Sequence, residues 1–271
     1  MQQKSITELK LSNDEIIYGE NVNGIDLKIN DRVIVYFEGS YDVAVVSKEE
    51  RLVETTKIDK NIYKIVRKIN QQDLQRLKEN SFKSEEAYKI IKNTVHNYEI
   101  EIKIVKVFYS FDRTKLYVYY TAEKQIDIRK LIREFAHRFR TRIIMQQIGP
   151  RDETKILGGI GMCGYELCCK KWIKKFESIS VEMAKTQQLA LNIPKLSGVC
   201  NRLKCCLYYE YNFYKECVER FPKIGSNIKT EDGEGKVVGI DCIKELVHIE
   251  FTTEDKEKII KTFKVKEILS Q

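Results

Sequence analysis

The strongest constraint on this chain is a pair of matched cysteine triads. The stretches "GGIGMCGYELCC" (158–169) and "GVCNRLKCC" (198–206) each contain one cysteine, four other residues and then two adjacent cysteines. Chance burial of small apolar side chains does not explain two triads at one spacing, so we expect them to have a chemical role. The six cysteines, out of eight in the 271-residue chain, are Cys163, Cys168, Cys169, Cys200, Cys205 and Cys206.

The expected compartment decides how these cysteines are interpreted. The N-terminal stretch MQQKSITELKLSNDE lacks the apolar core of a secretory signal. The longest uncharged run, 156–165, has ten residues, whereas a membrane-spanning helix needs roughly twenty. We therefore expect a soluble cytoplasmic protein with no membrane insertion. There, clustered cysteines favour metal binding or redox chemistry over structural disulfides.

Two kinds of metal centre fit the cysteine spacing. Zinc sites use Cys-x₂₋₄-Cys arms and a closed tetrahedron of four ligands. Iron–sulfur clusters also accept Cys-x₄-Cys, and each cluster takes four thiolates. Three thiols per triad leave one position open in each cluster, for Cys217, Cys242 or a partner chain. The spacing favours iron–sulfur slightly over zinc.

The pattern of apolar residues predicts an α+β protein with four parts. Residues 1–54 form a β-rich region with a hairpin around Glu38-Gly39-Ser40. Residues 55–150 contain two helices, the first capped by Asn70 with Asp73 and the second by Ser84, followed by a β-β-α-β unit. Residues 151–221 are the cysteine-rich, cluster-binding segment, and 222–271 form a small β module, a five-stranded barrel or sheet.

The positive charge gathers in the middle of the chain. Lys and Arg number 48 against 40 Asp and Glu, a modest net charge of +8. This permits contact with nucleic acid or acidic proteins without requiring it. We predict a docking surface on the helix of the β-β-α-β unit and after the first triad, at Arg129, Arg133, Arg140, Lys170 and Lys171. No nucleotide loop or thiol–histidine pair occurs at a recognisable spacing, so we assign no catalytic residue.

Several longer stretches resemble one protein family. They are "FDRTKLYVYYTA", "TRIIMQQIGPRDE", "RDETKILGGIGMCGYELCC", "VEMAKTQQLALN" and "KLSGVCNRLKCC". They resemble the YaaT (RicT) family with its PSP C-terminal domain, and the likeness covers roughly residues 30–250. The resemblance implies a non-catalytic adaptor in a cytoplasmic complex with two small helical proteins (RicA/YmcA and RicF/YlbF) that carries two [4Fe–4S] clusters. That complex acts with endoribonuclease Y in the maturation of operon mRNAs and influences sporulation, competence and biofilm formation. Contact with RNA is then indirect.

The resemblance also implies a ligand set. It makes the six triad cysteines candidate metal ligands, completed by partner cysteines, and leaves open which cysteine of each adjacent pair binds. Three positions depart from the family pattern: Met162 replaces a usual proline, Glu166 adds a negative charge, and Asn201 stands where glycine is common. The alternative function is a zinc-stabilised RNA-binding module, with a thiol redox enzyme as a remote third.

Overall fold

The structure is a computed structural model that describes residues 3–11, 15–54, 61–98, 100–124, 126–173, 176–252 and 258–269. The chain forms two compact units, 1–158 and 159–271. Helices and strands occur in both, so the α+β class is confirmed. The finer boundaries expected at residues 54, 150 and 221 stay predictions. Within the described ranges, no helix is both long and apolar enough to cross a bilayer.

The first unit begins with a closed five-stranded β-barrel. Going round it, the neighbours are β1, β2, β6, β3, β4 and β1 again; only the β2–β6 pair is parallel. A further strand, β5, pairs with the first residues of β1. Alternating apolar side chains such as Leu9, Val33 and Ala44 fill the interior. The bounds are β1 (Gln3–Leu11), β2 (Ile16–Glu20), β3 (Arg32–Phe37), β4 (Ser40–Val46), β5 (Arg51–Glu54) and β6 (Ile62–Lys68).

The hairpin predicted in this region is confirmed. Strands β3 and β4 pair antiparallel and end on the pair Phe37 and Ser40. The two turn residues, Glu38 and Gly39, have φ angles of 47° and 79°. Both are left-handed, as a two-residue hairpin turn requires. The barrel itself extends past residue 54, because β6 closes it.

One helix follows the barrel where two were predicted. Helix α1 runs without a break over Gln71–Asn97. The predicted N-terminal cap is confirmed: the Asp73 N–H donates to Asn70 Oδ1 (2.9 Å), and the Asn70 N–H donates to the Asp73 carboxylate (2.8 Å). The second cap, Ser84, was wrong. Its hydroxyl donates to the Asn80 carbonyl one turn back (2.6 Å) and accepts from the Tyr109 N–H (3.2 Å), so it starts no helix.

The predicted β-β-α-β unit is confirmed. It comprises β7 (Ile102–Tyr109), β8 (Lys115–Ala122), α2 (Arg129–Phe139) and β9 (Arg142–Gln147). The β7–β8 pair is antiparallel, and α2 makes the crossover to the parallel strand β9. Both α1 and α2 contribute to one core, where Ile91, Leu116, Leu131 and Phe135 are fully buried. Helix α3 (Pro150–Leu157) follows.

The second unit contains short helices and then an antiparallel sheet. Helices α4 (Cys168–Lys171), α5 (Val181–Thr186), α6 (Ile193–Leu196) and α7 (Cys205–Arg220) precede β10 (Asn227–Thr230), β11 (Gly233–Asp241), β12 (Leu246–Thr252), β13 (Lys258–Lys264) and α8 (Val265–Leu269). The four strands are neighbours in the order in which they occur in the chain, and among the described residues β13 does not pair with β10. Of the two forms predicted for 222–271, a small β-barrel or a sheet, the described residues form the open sheet. The end of α7 covers the apolar face instead, with Cys217 and Phe221 packed on Val237 and Ile249.

A disulfide joins α7 to the segment after β11. It links Cys217 and Cys242, which are 0% and 6% exposed. The spacing had left these two cysteines open as further metal ligands; they are joined instead, because packing brings two cysteines distant in sequence into one core. Neither sulfur is then free to complete a metal site.

Candidate functional site

The first triad lies on a tight loop that we call thiol loop 1 (residues 159–169). The Gly161 N–H donates to the Tyr165 carbonyl (2.7 Å), and the Gly164 N–H donates to the Gly161 carbonyl (3.0 Å). An antiparallel bridge between Ile160 and Glu166 closes the base of the loop. These bonds hold Cys163 at the loop's turn.

The second triad lies on a loop of the same construction, thiol loop 2 (residues 196–206). The Gly198 N–H donates to the Arg202 carbonyl (2.8 Å), and the Asn201 N–H donates to the Gly198 carbonyl (3.0 Å). A bridge between Ser197 and Leu203 closes its base. Each of these residues lies 37 positions after its counterpart in thiol loop 1. The matched spacing of the triads therefore reflects a matched backbone.

The same loop conformation explains how the chain tolerates Asn201. Asn201 has a φ of 56° and Gly164, its counterpart, has a φ of 81°. Both are left-handed, a conformation that glycine adopts freely and asparagine more readily than most residues. The departure from glycine at this position therefore preserves the turn.

Each adjacent cysteine pair begins a helix. Cys168 and Cys169 open α4, and Cys205 and Cys206 open α7. At the start of the 16-residue α7, free backbone N–H groups and the positive end of the helix dipole favour a thiolate. Burial of Leu207, Leu196 and Ala184 beneath the second loop anchors α5, α6 and α7 to one another.

The two loops lie side by side. A shallow groove of about 470 Å³ is lined by Met162 from thiol loop 1 and by Gly198, Val199 and Asn201 from thiol loop 2. Thiols of the two loops are close enough to affect one another's pKa. A thiolate at Cys200 raises the pKa of Cys169. Thiolates at Cys168 and Cys169 raise the pKa of Cys205. The structure thus brings the two triads into one neighbourhood.

The thiols differ in how readily they ionise. Cys205 donates a hydrogen bond to Cys206, which lowers the pKa of Cys206 and raises that of Cys205. This pair loses one proton readily and resists losing the second. Burial raises the pKa of the Cys169 thiol. A cation bound among these sulfurs would oppose that effect.

The donors are of the kind that binds metal ions as thiolates. All six triad cysteines are free thiols. A Cβ added at Gly161 would lie 3.3 Å from Cys163 Sγ, so glycine there lets the sulfur approach the backbone closely. Within the part of the chain that the structure describes, however, no three His, Cys, Asp or Glu side chains already form a group able to hold an ion. A metal would therefore need side-chain movement or ligands from another chain.

Comparisons with known proteins identify the family of the chain. The family model described as "PSP1 C-terminal conserved region" matches residues 63–148, and "PSP1-like protein, third domain" matches residues 178–221. Stage 0 sporulation protein YaaT of Bacillus subtilis (strain 168) is 36% identical over 244 residues, which cover 90% of this chain and 88% of that protein. The chain belongs to the YaaT family. No solved structure gives a significant match.

The YaaT-family chain carries its predicted basic docking residues in both units. Arg129, Arg133 and Arg140 belong to the first unit and are exposed; Lys171 is exposed and Lys170 half-buried in the second. Arg129 is paired with Asp127 (2.8 Å), and that arginine lowers the pKa of the Asp127 carboxyl. The pairing weakens the case for Arg129, whereas a docking role for the others stays a prediction.

Sequence reasoning missed the apolar tips of the two loops. Met162 and Tyr165 on thiol loop 1 are 74% and 75% exposed, and Val199 on thiol loop 2 is 58% exposed. The available signal was the uncharged run 156–165, which we considered only as a membrane segment. Large apolar side chains exposed near one another on a surface are typical of interaction sites.

Proposed function

We propose that this chain is a non-catalytic adaptor that holds iron–sulfur clusters on its two thiol loops. In this proposal it belongs to a cytoplasmic complex of the RicA/YmcA–RicF/YlbF–RicT/YaaT type that modulates endoribonuclease Y-dependent mRNA maturation, and so affects sporulation, competence and biofilm formation. The repeated thiol loop carries the proposal. Membership of the YaaT family, with a relative named for stage 0 of sporulation, supports it.

Iron–sulfur is favoured over zinc by the family resemblance, since cysteine thiolates alone suit either metal. Neither loop contains a histidine, and three thiols from each loop leave one position of a four-thiolate cluster open. The disulfide of Cys217 with Cys242 removes the two other cysteines of the chain. Up to two [4Fe–4S] clusters would then be shared with partner chains. A bound cluster supplies redox or structural chemistry tuned by its surroundings.

The adaptor role is supported by the surface around the thiols. Met162, Tyr165 and Val199 are apolar and mostly exposed at the loop tips. Interfaces concentrate such side chains at their centre and place charges at the rim. Exposed cations nearby in sequence, Lys171 and Arg202, suit an acidic rim on the partner. A helical partner that covers the tips is well placed to add a fourth ligand.

The test is to purify the chain anaerobically, alone and with the two helical partners. We expect the complex to be brown, with broad absorbance near roughly 400 nm. We also expect neither preparation to cut a structured transcript until endoribonuclease Y is added. A colourless complex with stoichiometric zinc would favour a zinc-stabilised RNA-binding module. Cleavage by the chain alone, abolished by a point mutation in it, would make it an enzyme and overturn the adaptor role.

A further inference from the structure

A candidate binding surface lies in the first unit, on the outer face of helix α2. The core-facing side chains of this helix, such as Leu131 and Phe135, are fully buried. Its opposite face is exposed and carries a row of residues that we call the basic stripe: Lys130, Arg133, His137 and Arg140. Intervals of three, four and three residues place side chains on one face of a helix. At about 1.5 Å per residue, the stripe is about 15 Å long.

The positive charges of the stripe are not compensated within the unit. Among the described residues, no member of the stripe takes part in an ion pair. Asp127, the acid that precedes the helix, is bonded to Arg129 (2.8 Å), while Arg133 attracts it without a bond. Glu134, the acid of α2, instead accepts a hydrogen bond from the Tyr98 hydroxyl. The stripe therefore offers its charges to a partner.

Two members of the stripe work against the fold. Lys130 lies in the first turn of α2, where the positive end of the helix dipole disfavours a cation, and that turn contains no acid. Arg140 ends the helix with a φ of 51°, in the left-handed region where glycine is the usual residue. Side chains that a fold holds at a cost to its own stability point to a function.

The chemistry of this face fits a phosphate backbone better than a protein or a membrane. Protein interfaces and membrane-binding helices both expose large apolar side chains. Among the described residues of α2 and β9, no large apolar side chain is exposed. Interfaces with nucleic acid are more polar and more positively charged. Single strands also need exposed aromatic rings on which their bases stack, whereas a duplex presents its phosphates and sugars without that need.

We propose that the basic stripe binds the phosphate backbone of double-stranded RNA, with Lys130, Arg133 and Arg140 each contacting a phosphate. The contact is independent of base sequence, because phosphates carry no sequence information. Contact between this chain and RNA is then direct. The choice of RNA over DNA rests on the proposed function in mRNA maturation. The stripe itself belongs to the first unit and the thiol loops to the second, so the two sites can be tested separately.

The test is fluorescence anisotropy of a labelled RNA duplex of about 16 base pairs, titrated with the full chain at several salt concentrations. Each phosphate contact contributes a slope of about −0.9 to a plot of log affinity against log salt concentration, which corresponds to about eightfold in affinity at 0.1 M salt. Lys130→Ala, Arg133→Ala and Arg140→Gly should each weaken binding by about that factor and make the slope shallower by about one.

The Arg140→Gly variant separates binding from folding. Glycine adopts a positive φ without steric cost, so this variant should melt at a temperature at least as high as that of the wild type while it binds RNA more weakly. Unchanged RNA affinity in both Arg140→Gly and Arg133→Ala would overturn the proposal.

Lys92→Ala is the matched control, since Lys92 is an exposed lysine of α1 that, among the described residues, forms no ion pair. It should leave the affinity unchanged; a loss equal to that of Arg133→Ala would mean unspecific attraction and would overturn the proposal. So would tighter binding of polyglutamate or of a DNA duplex than of the RNA duplex, or no binding at about 100 µM chain, the weak end of sequence-independent binding. Stripe variants should keep the wild-type iron and sulfide of the anaerobic complex, so this proposal and the cluster-binding role fail separately.

Discussion

Replacing Asp42 with asparagine is expected to stabilise the protein at neutral pH. Burial raises the pKa of this carboxyl from its ordinary 3.8 to about 6, with added repulsion from Asp112. The N–H of Val43 and the charge of Lys115 oppose the rise without cancelling it. Above pH 6 the folded protein must therefore hold a carboxylate that its surroundings disfavour. Asparagine keeps the acceptor for Val43 and removes the charge.

The size and the pH range of this effect follow from the two pKa values. One pKa unit corresponds to about 1.4 kcal/mol, so the difference between 3.8 and about 6 is worth about 3 kcal/mol. Between these values the folded protein holds a proton that the unfolded chain has lost. Wild-type stability therefore falls as pH rises from about 4 to 6. The Asp42→Asn variant should match the wild type near pH 4 and exceed it by up to about 3 kcal/mol at pH 7.

The assay is urea unfolding of the full chain followed by far-ultraviolet circular dichroism at several pH values. Fluorescence is unsuitable, because the single tryptophan, Trp172, lies in the other unit. Asp31→Asn is the control of opposite sign: Asp31 is half-buried and bonded to Lys68 (2.6 Å), which lowers the pKa of its carboxyl. That variant should gain no stability. An Asp42→Asn protein no more stable than wild type at pH 7 would refute the reasoning.

Three further changes test the packing. Cys217→Ser/Cys242→Ser, at positions 25 apart in sequence, should lower the free energy of unfolding of the second unit by about 3 kcal/mol. Unfolding followed by Trp172 fluorescence measures this loss. If wild type and variant differ by the same amount under reducing conditions, the loss does not come from the disulfide. Gly19→Ala should lower the free energy of unfolding by about 1–3 kcal/mol, because the added Cβ would lie 2.5 Å from Leu9 Cδ1 within the barrel. An unchanged unfolding curve by circular dichroism would contradict that contact. Asn70→Ala should lower the free energy of unfolding by about 1 kcal/mol, because α1 loses its N-terminal cap. Equal melting temperatures of variant and wild type would mean that the cap does not stabilise the protein.

Local sequence patterns predicted most of the helices and strands but not how the strands close into a barrel. Turn residues at Glu38 and Gly39 and the Asn70–Asp73 pair act over a few residues, so their roles were visible in the sequence. Closure of the barrel depends on β6 pairing with both β2 and β3, a long-range choice that alternation alone does not encode. The C-terminal strands form an open sheet rather than a barrel for a related reason. The helix that covers it, α7, begins in the cysteine region and was assigned to another part.

The sequence identified the cysteines of the candidate site but not the residues and bonds that surround them. Matched spacing revealed two equivalent loops, because equal spacing in sequence produced equal hydrogen bonding. The disulfide of Cys217 with Cys242 was missed, since contact between distant cysteines depends on tertiary packing.

The central claim is that each thiol loop binds its own share of iron. The most direct measurement is iron and acid-labile sulfide per chain in the anaerobic complex, for wild type, Cys163→Ser, Cys200→Ser and the Cys217→Ser/Cys242→Ser control. We predict that each triad variant loses about half of both elements, because four thiolates hold each cluster, and that the control keeps the wild-type content. Stoichiometric zinc without sulfide, or full iron content in both triad variants, would contradict the account.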